Sequence, residues 1–501
     1  MPVPVPVVAG VGQITDRPDD PRQGLEPLAL MEVAGRRALD DAGVARAAWS
    51  AVDTLAVVTN VFHDYVDTAT MLAARLGLQP RQTILSTWGG NTPQSLVSHL
   101  CDEIATGRTE VALLAGGEAF HTMRALGKAG IASPWTPPAE TGPPRWGGDA
   151  RQGTSDVESR HGLREAYVTF ALYENAFRAA RSQSISEQRD ELGAFAERCA
   201  GIAAASEHAW FRDGKTAATL VTVGRENRMV AFPYPKYLNA IMEVNQGAAL
   251  LLASEAAARR LGIAESRWVW PRSGIDVNEH WFLTERVDYR ELPALRRGAA
   301  ALLEAVELPV AQVRHLDLYG CFPIAPRLTA AMLGLDPAAP RPLTVTGALP
   351  WFGGPGNNYT THAIANVVER LRAERDATAL VHAVGWSFTK HALGVYGGTP
   401  GAGAWRRAGD ASLQHELDAL HHPTLAHDPA GPGVLETYTV VHGRHGAPER
   451  GVAIGLLDDG RRFVAVLPPD VALLSALEDE EQVGRHGTLS TADGLSTFDP
   501  A

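Results

Sequence analysis

The residues with chemical potential in this chain cluster where apolar runs give way to glycines and then to a helical repeat. In "LSTWGGNTPQSLVSHLCDEI", Trp88, Gly89, Gly90 and Asn91 precede a run whose Leu96, Val97, Leu100 and Ile104 share one helical face. Pro93 suits a first helical turn and Asn91 a cap. Free amides at a glycine-flanked helix start can hold an anion or a developing oxyanion, although a tight turn before a core helix has the same spacing. In "LDLYGCFPIAPRL", Cys321 stands near the end of a strand-like run, with Tyr319 just ahead of it. A cysteine so placed is a thiolate nucleophile if a base stands close, and otherwise a small buried hydrophobe. In "ALPWFGGPGNNYTTHAIANVVERLR", Phe352, Gly353 and Gly354 lead to Asn357 and Asn358. The glycines let backbone approach a ligand, the amides can cap a helix, and Trp351 and Phe352 either line an apolar pocket or pack in the core. The turn itself carries no side chain able to move a proton. Finally, "HAVGWSFTKHALGVYGG" offers His382, Lys390 and His391. His391 is the candidate general base, weighed against a histidine merely bonded to backbone.

The elements that must position these residues alternate between β-branched runs and amphipathic helical runs. "VDTLAVVT", "TEVALLAGGEAF" and "TALVHAVG" read as strands, and "LALMEVAGRRALDDAGV" as a helix ending at Gly43. This rhythm predicts an α/β fold with a largely parallel sheet covered on both faces. It breaks between residues 120 and 240, where a Pro-, Gly- and Trp-rich stretch leads into long helical runs such as "REAYVTFALYENAFRAARSQS", an inserted, mostly helical segment. Residues 399–432 read as a linker. Beyond them short alternating runs, with a hairpin signal at Asp458, Asp459 and Gly460, predict a small antiparallel, OB-like β-barrel over 433–501.

With 501 residues, a length prior suggests about three domains. Apolar residues at 45% and charged residues at 20% give an ordinary globular balance, and no run reaches the roughly 18 apolar residues of a membrane helix. "MPVPVPVVAGVGQ" lacks a basic region before its apolar run and reads as a first strand rather than a secretory leader. Cys101, Cys199 and Cys321 form neither a metal spacing nor a disulfide framework, which fits a reducing cytoplasm. A formal net charge of −12 argues against nucleic acid as a partner, for the barrel as for the rest.

Taken together the junctions resemble the thiolase superfamily, particularly the sterol-carrier-protein-type thiolases, over residues 5–398. "ALDDAGV", "EVALLAGGEAF", "NQGAALLLASEAAARRLG" and "GALPWFGGPGNN" fall in that family's order. The tail from Val434 resembles the added barrel of type 1 thiolase-like proteins. The resemblance implies two βαβ-type halves, 1–270 and 271–398, layered α-β-α-β-α, and a coenzyme A thioester as ligand with no permanently bound cofactor or metal. Its nucleophilic cysteine falls at Gly89 or Gly90, its Asn-Glu motif at Pro323–Pro326, its Gly-His-Pro loop at Gly353–Pro355 and its last cysteine loop in "VGWSFTKH". All four positions depart from the family pattern, so little thiolysis is expected, and Cys321, His391 and Tyr319 are the residual catalytic candidates. Trp88, Gly89, Gly90, Asn91, Phe352, Gly353, Gly354 and Asn357 would then cradle the thioester. The alternatives are a non-catalytic binding or partner subunit, docked through the barrel, and an acetyltransferase with rearranged residues. A monomer is favoured.

Overall fold

The computed structural model describes residues 3–147 and 149–501. Its first sheet is built from β1 (Pro6–Thr15), β2 (Thr54–Val57), β3 (Gln82–Leu85) and β4 (Val111–Ala119), with helix α1 (Pro27–Asp41) on its outer face. Helix α2 (Thr92–Ala105) lies on the inner face. The inserted segment follows, with α3 (Ala166–Ala180), α4 (Ile185–Ala204) and the short strands β5 (Met229–Ala231) and β6 (Tyr234–Pro235). The chain then returns to the first sheet as β7 (Asn245–Ser254), buried along its whole length between β1 and β4.

The second sheet comprises β8 (Trp270–Asn278), β9 (His315–Leu318), β10 (Thr378–Gly385), β11 (Lys390–Gly397) and β12 (Arg406–Arg407). Helices α5 (Pro293–Ala305) and α6 (Ile324–Met332) cover its outer face, and α7 (Tyr359–Ala373) joins α2 between the sheets. The middle layer closes because α2 and α7 are apolar on two sides. Leu96, Val97, Leu100 and Ile104 of α2 and Ile364, Val367, Val368 and Leu371 of α7 are fully buried. They meet Leu114 and Leu252 from one sheet and Val381 and Tyr396 from the other. At about 1.5–3 kcal/mol per buried aliphatic side chain, this stripe fixes the two helices against each other.

The expectation of a largely parallel sheet needs correction. Among the described residues of these two sheets only β2 with β3 and β4, β9 with β10, and β8 with β12 run parallel; β7 is antiparallel to both neighbours, and β10–β11 is a hairpin. The four-residue turn Trp386–Thr389 is too short for a crossover helix, so the strands it joins must reverse. The stretch 399–432, read as a linker, contains β12 and a helix α8 (Ala411–Asp418) packed on the second sheet.

Strands β13 (Gly431–His442), β14 (Pro448–Leu457), β15 (Arg462–Leu467), β16 (His486–Ala492) and β17 (Leu495–Pro500) close into a five-stranded barrel, since β13 pairs with both β14 and β16. The β5–β6 hairpin extends this sheet at Val441. The barrel is fastened to the rest of the chain along β13. Asn175 Nδ2 donates to the Tyr438 carbonyl at 2.8 Å and Thr437 Oγ1 to the Leu172 carbonyl at 2.6 Å. Arg462, wholly buried, bridges Glu436 and the Thr284 carbonyl. This side of the barrel is therefore covered by the chain's own inserted helices. No helix among the described residues is long and apolar enough to cross a membrane.

Candidate functional site

The starts of α2 and α7 meet at one point between the sheets. The Gly89 amide donates to Asn357 Oδ1 at 3.1 Å, while Asn357 Nδ2 donates to the Thr59 carbonyl at 3.0 Å. Thr360 Oγ1 donates to the Gly90 carbonyl at 3.2 Å. Gly89, at φ 143°, and Gly353, at φ 109°, adopt backbone conformations that side chains disfavour, so the glycines here are conformationally required. The expected caps are absent, however. Asn91 already has helical dihedrals and makes no capping bond; its Nδ2 reaches Ser95 Oγ at 3.4 Å, and its buried Oδ1 is unpartnered. Asn358 Oδ1 accepts from the Thr361 hydroxyl instead of an amide.

The third junction is tied down by its own backbone. Gly353 donates to the Leu349 carbonyl and Gly354 to the Ile241 carbonyl, so neither amide is free for a ligand. Trp351 and Phe352 are buried in the core. Gln246 Nε2 holds the Phe352 carbonyl at 2.9 Å, and a Cβ added to Gly356 would lie 2.6 Å from Glu118 Oε1. Glu118 is wholly buried, accepts the Val61 amide on Oε1 and leaves Oε2 unpartnered. Burial pushes its pKa up to about 8. At α2, by contrast, no acceptor among the described residues takes the amide of Gly90 or Asn91.

Tyr319 reaches the α2 start. A Cβ added to Gly90 would lie 2.4 Å from Tyr319 Oη and 2.6 Å from the Val384 carbonyl, closer than real Cβ contacts come. Burial first, and then the neighbouring Cys321, raise the Tyr319 pKa above the ordinary phenol value. Burial likewise raises the Cys321 thiol, and no side chain among the described residues hydrogen-bonds its sulfur, so it rests as a thiol.

His391 lies on the opposite face of the second sheet. Successive residues of a strand point to opposite faces, so the Lys390 and His391 side chains diverge although both residues border one cavity. The His391 ring bonds His382 Nε2 at 3.0 Å through Nδ1, and its Nε2 lies 3.7 Å from Glu279, which accepts the first amides of α5. Burial, then His382, hold the His391 pKa well below the ordinary imidazole value. His382 is lowered to about 3 by burial, and Glu279 raised to about 7 by burial. The imidazole pair is neutral and turned toward α5, so a proton relay to the α2 start does not run through it.

Lys390 is the residue brought to that start. Its Nζ donates to the Trp88 carbonyl and would stand 3.0 Å from a Cβ on Gly89. It lines a cavity of about 230 Å³ with Asn91, Ser95, Asp149, Asp276, His391 and Arg407. A signal for it existed in sequence: a lysine beside a predicted strand turn, adjacent to the histidine chosen instead. A larger cavity, about 740 Å³, lies away from this site between α3 and the barrel, near Tyr289 and Leu456. Among the described residues no group of histidine, cysteine or carboxylate side chains could hold a metal ion.

Residues 412–494 match the family model described as the thiolase-like protein type 1 additional C-terminal domain. A monomeric SCP2-thiolase-like protein type 1 from Mycobacterium smegmatis is 31% identical, with a TM-score of 0.85 over 99% of each chain. An acetyl-CoA acetyltransferase from Syntrophomonas wolfei is 13% identical, with a TM-score of 0.56 over 79% of this chain and 100% of its own. Human mitochondrial 3-ketoacyl-CoA thiolase is 15% identical, with a TM-score of 0.56 over 79% of this chain and 99% of its own. No curated protein matches the chain.

Proposed function

Because the chain belongs to the SCP2-thiolase-like proteins of type 1, we propose that it binds an acyl thioester at the joined starts of α2 and α7 without performing ordinary thiolysis. The fold neighbours named for acetyl-CoA and 3-ketoacyl-CoA chemistry suggest the ligand class. The unfilled amides of Gly90 and Asn91 favour a carbonyl oxygen or anion at the α2 start.

One observation carries the reading. The resemblance puts the family's nucleophile at Gly89 or Gly90, and at Gly90 the side-chain space is taken by the Tyr319 phenol and the Val384 carbonyl. The companion positions offer no replacement: Gly354 has no side chain, Cys321 stays a thiol, and His391 faces α5. Nucleophile and base act as a unit, and removing them from an enzyme of this kind costs on the order of 10⁴–10⁶ in rate. The active group in this reading is the binding surface.

A monomer fits the same reading. The edge strand β3, which would otherwise offer unpaired groups to a second chain, is covered by Trp146: its amide donates to the Leu85 carbonyl at 2.7 Å and its carbonyl accepts from Thr87 at 2.8 Å. The test is paired calorimetry and thiolysis with acetoacetyl-CoA. Saturable binding without cleavage is expected. Cleavage at thiolase-like rates, or no heat at millimolar ligand, refutes the reading.

A further inference from the structure

Only four of the 45 cationic side chains are lysines: Lys128, Lys215, Lys236 and Lys390. Lys128 and Lys236 are exposed and Lys215 half-buried, whereas Lys390 is 3% exposed. Elsewhere the chain buries cations as arginine. Arg178 pairs with Glu481, Arg327 with Glu174 and Glu191, and Arg462 with Glu436. Lys390 has no carboxylate within ion-pair distance among the described residues, and its one hydrogen bond is to the Trp88 carbonyl. Arginine stays charged under all ordinary conditions, while a desolvated lysine can release its proton and become a nucleophile. The one buried lysine thus stands where only a lysine can become neutral.

Its surroundings are those of a small reaction chamber. The 230 Å³ cavity is lined by Lys390 and Arg407 on one side of the charge balance and Asp149 and Asp276 on the other. Arg407 is already committed to Asp102 and Asp276, and Asp276 also accepts from Ser95. The chamber is close to electroneutral, which suits an uncharged polar ligand better than a phosphate or carboxylate. Trp281 and Trp386 place their rings 6.0 and 5.8 Å from Nζ, so apolar surface flanks the amine. The turn that delivers Lys390 is strained, with Trp386 at φ 55° and Phe388 at φ 60°, left-handed values that side chains disfavour. Such outliers persist where surrounding structure holds a group in a required place.

We infer that Lys390 is a nucleophilic amine that captures a small neutral aldehyde or ketone in this cavity as a Schiff base. The neutral Nζ donates its lone pair to the carbonyl carbon, the carbonyl oxygen takes a proton from water, and the nitrogen, now cationic, returns one of its own protons to that water to leave a carbinolamine. Protonation of that hydroxyl expels it as water, and the nitrogen lone pair completes the carbon–nitrogen double bond. Amine and carbonyl compound thus become iminium and water, with protons drawn from solvent and no oxidant or reductant consumed. The iminium N–H keeps the hydrogen bond to the Trp88 carbonyl, so the charged product is stabilised where the free amine sat. This inference does not depend on thioester binding.

Burial lowers the Lys390 pKa to about 8, with Asp149 opposing the shift. The charged and titratable residues bordering the cavity with the amine are Asp149, Asp276, Arg407 and His391, whose imidazole is bonded to His382 and held neutral by burial. The full chain is treated with glyceraldehyde and sodium borohydride, which reduces any imine to a stable secondary amine, and its peptides are mapped by mass spectrometry. At pH 7.5 the adduct on Lys390 should exceed that on each other lysine by at least about tenfold, since a group titrating near 8 carries far more free amine than one near 10.4. Its yield should rise to half-maximum near pH 8, and Lys390→Arg, which keeps the charge and the bond to Trp88, should abolish the adduct at that position without raising it elsewhere. Labelling that follows exposure, with Lys128 and Lys236 ahead of Lys390, overturns the inference. The wild-type map alone decides the matter if the variant does not fold.

Discussion

Putting a side chain back at Gly90 is the most direct probe of the site. In Gly90→Ala the new Cβ meets Tyr319 Oη at 2.4 Å, Tyr319 Cζ at 2.8 Å and the Val384 carbonyl at 2.6 Å. Ordinary contacts need about 3.4 Å or more, so the α2 start or the Tyr319 ring must shift by nearly an ångström. Overpacking of this kind costs about 1–3 kcal/mol. Tyr319→Phe removes the nearest of the three atoms, and because Tyr319 Oη has no hydrogen-bond partner among the described residues, that change alone should cost little. The double variant should recover part of the loss, with a coupling on the order of 1 kcal/mol, while the Val384 carbonyl keeps recovery incomplete. Urea midpoints for wild type, both single variants and the double variant, followed by tryptophan fluorescence, give the cycle. The same clash predicts that Gly90→Cys lowers the midpoint and confers no cleavage of acetoacetyl-CoA, since among the described residues no imidazole or second cysteine faces it and the Lys390 amine is held by the Trp88 carbonyl. A Gly90→Ala chain within about 0.5 kcal/mol of wild type, a vanishing coupling, or thiolysis by Gly90→Cys would each show that Tyr319 does not fill the space beside Gly90.

Two further outcomes follow from groups around the site. Glu118 titrates at about 8 in the folded chain against an ordinary 4.5, so its contribution to stability is fully present below pH 4.5 and is lost as pH rises toward 8. Glu118→Gln does not titrate and should gain on wild type between pH 5 and 8 by up to about 4 kcal/mol, read from urea midpoints at each pH; a pH-independent difference between the two refutes the buried, unpartnered carboxyl. Trp146→Pro removes the amide that covers the Leu85 carbonyl, and light scattering should show a mass that climbs with concentration where wild type stays near 53.5 kDa; a wild-type dimer defeats the monomer reading.

Much of this arrangement was legible in the residues because it depends on local rules. The apolar stripes of α2 and α7 and the Asp459–Gly460 hairpin are each set within a few residues. Sheet direction was not, because β7 reads as a buried apolar run whichever way it points, and only its pairing with β1 and β4 decides. The caps failed for a similar reason: Asn91 and Asn358 have the right chemistry, but the contacts with Ser95 and Thr361 claim their side chains.

The choice between Lys390 and His391 shows what local reading lacks. Residue chemistry favours imidazole as a base near neutrality, and both side chains stand one position apart on the same strand. Which of the two faces α2 is a parity question, fixed by the register of β11 against β8 and β10 rather than by either residue. With His391 opposite Val384 and facing α5, parity sends Lys390 to the glycines, and a one-residue shift in the turn after Gly385 would exchange them. The left-handed dihedrals at Trp386 and Phe388 set that turn, so the strain there selects an amine instead of an imidazole for the α2 start. The resemblance puts the thiolase family's thiol at Gly89 or Gly90, beside which the Lys390 amine stands, so in the proposed reading the protonation state of Lys390 decides which electrophile this point holds.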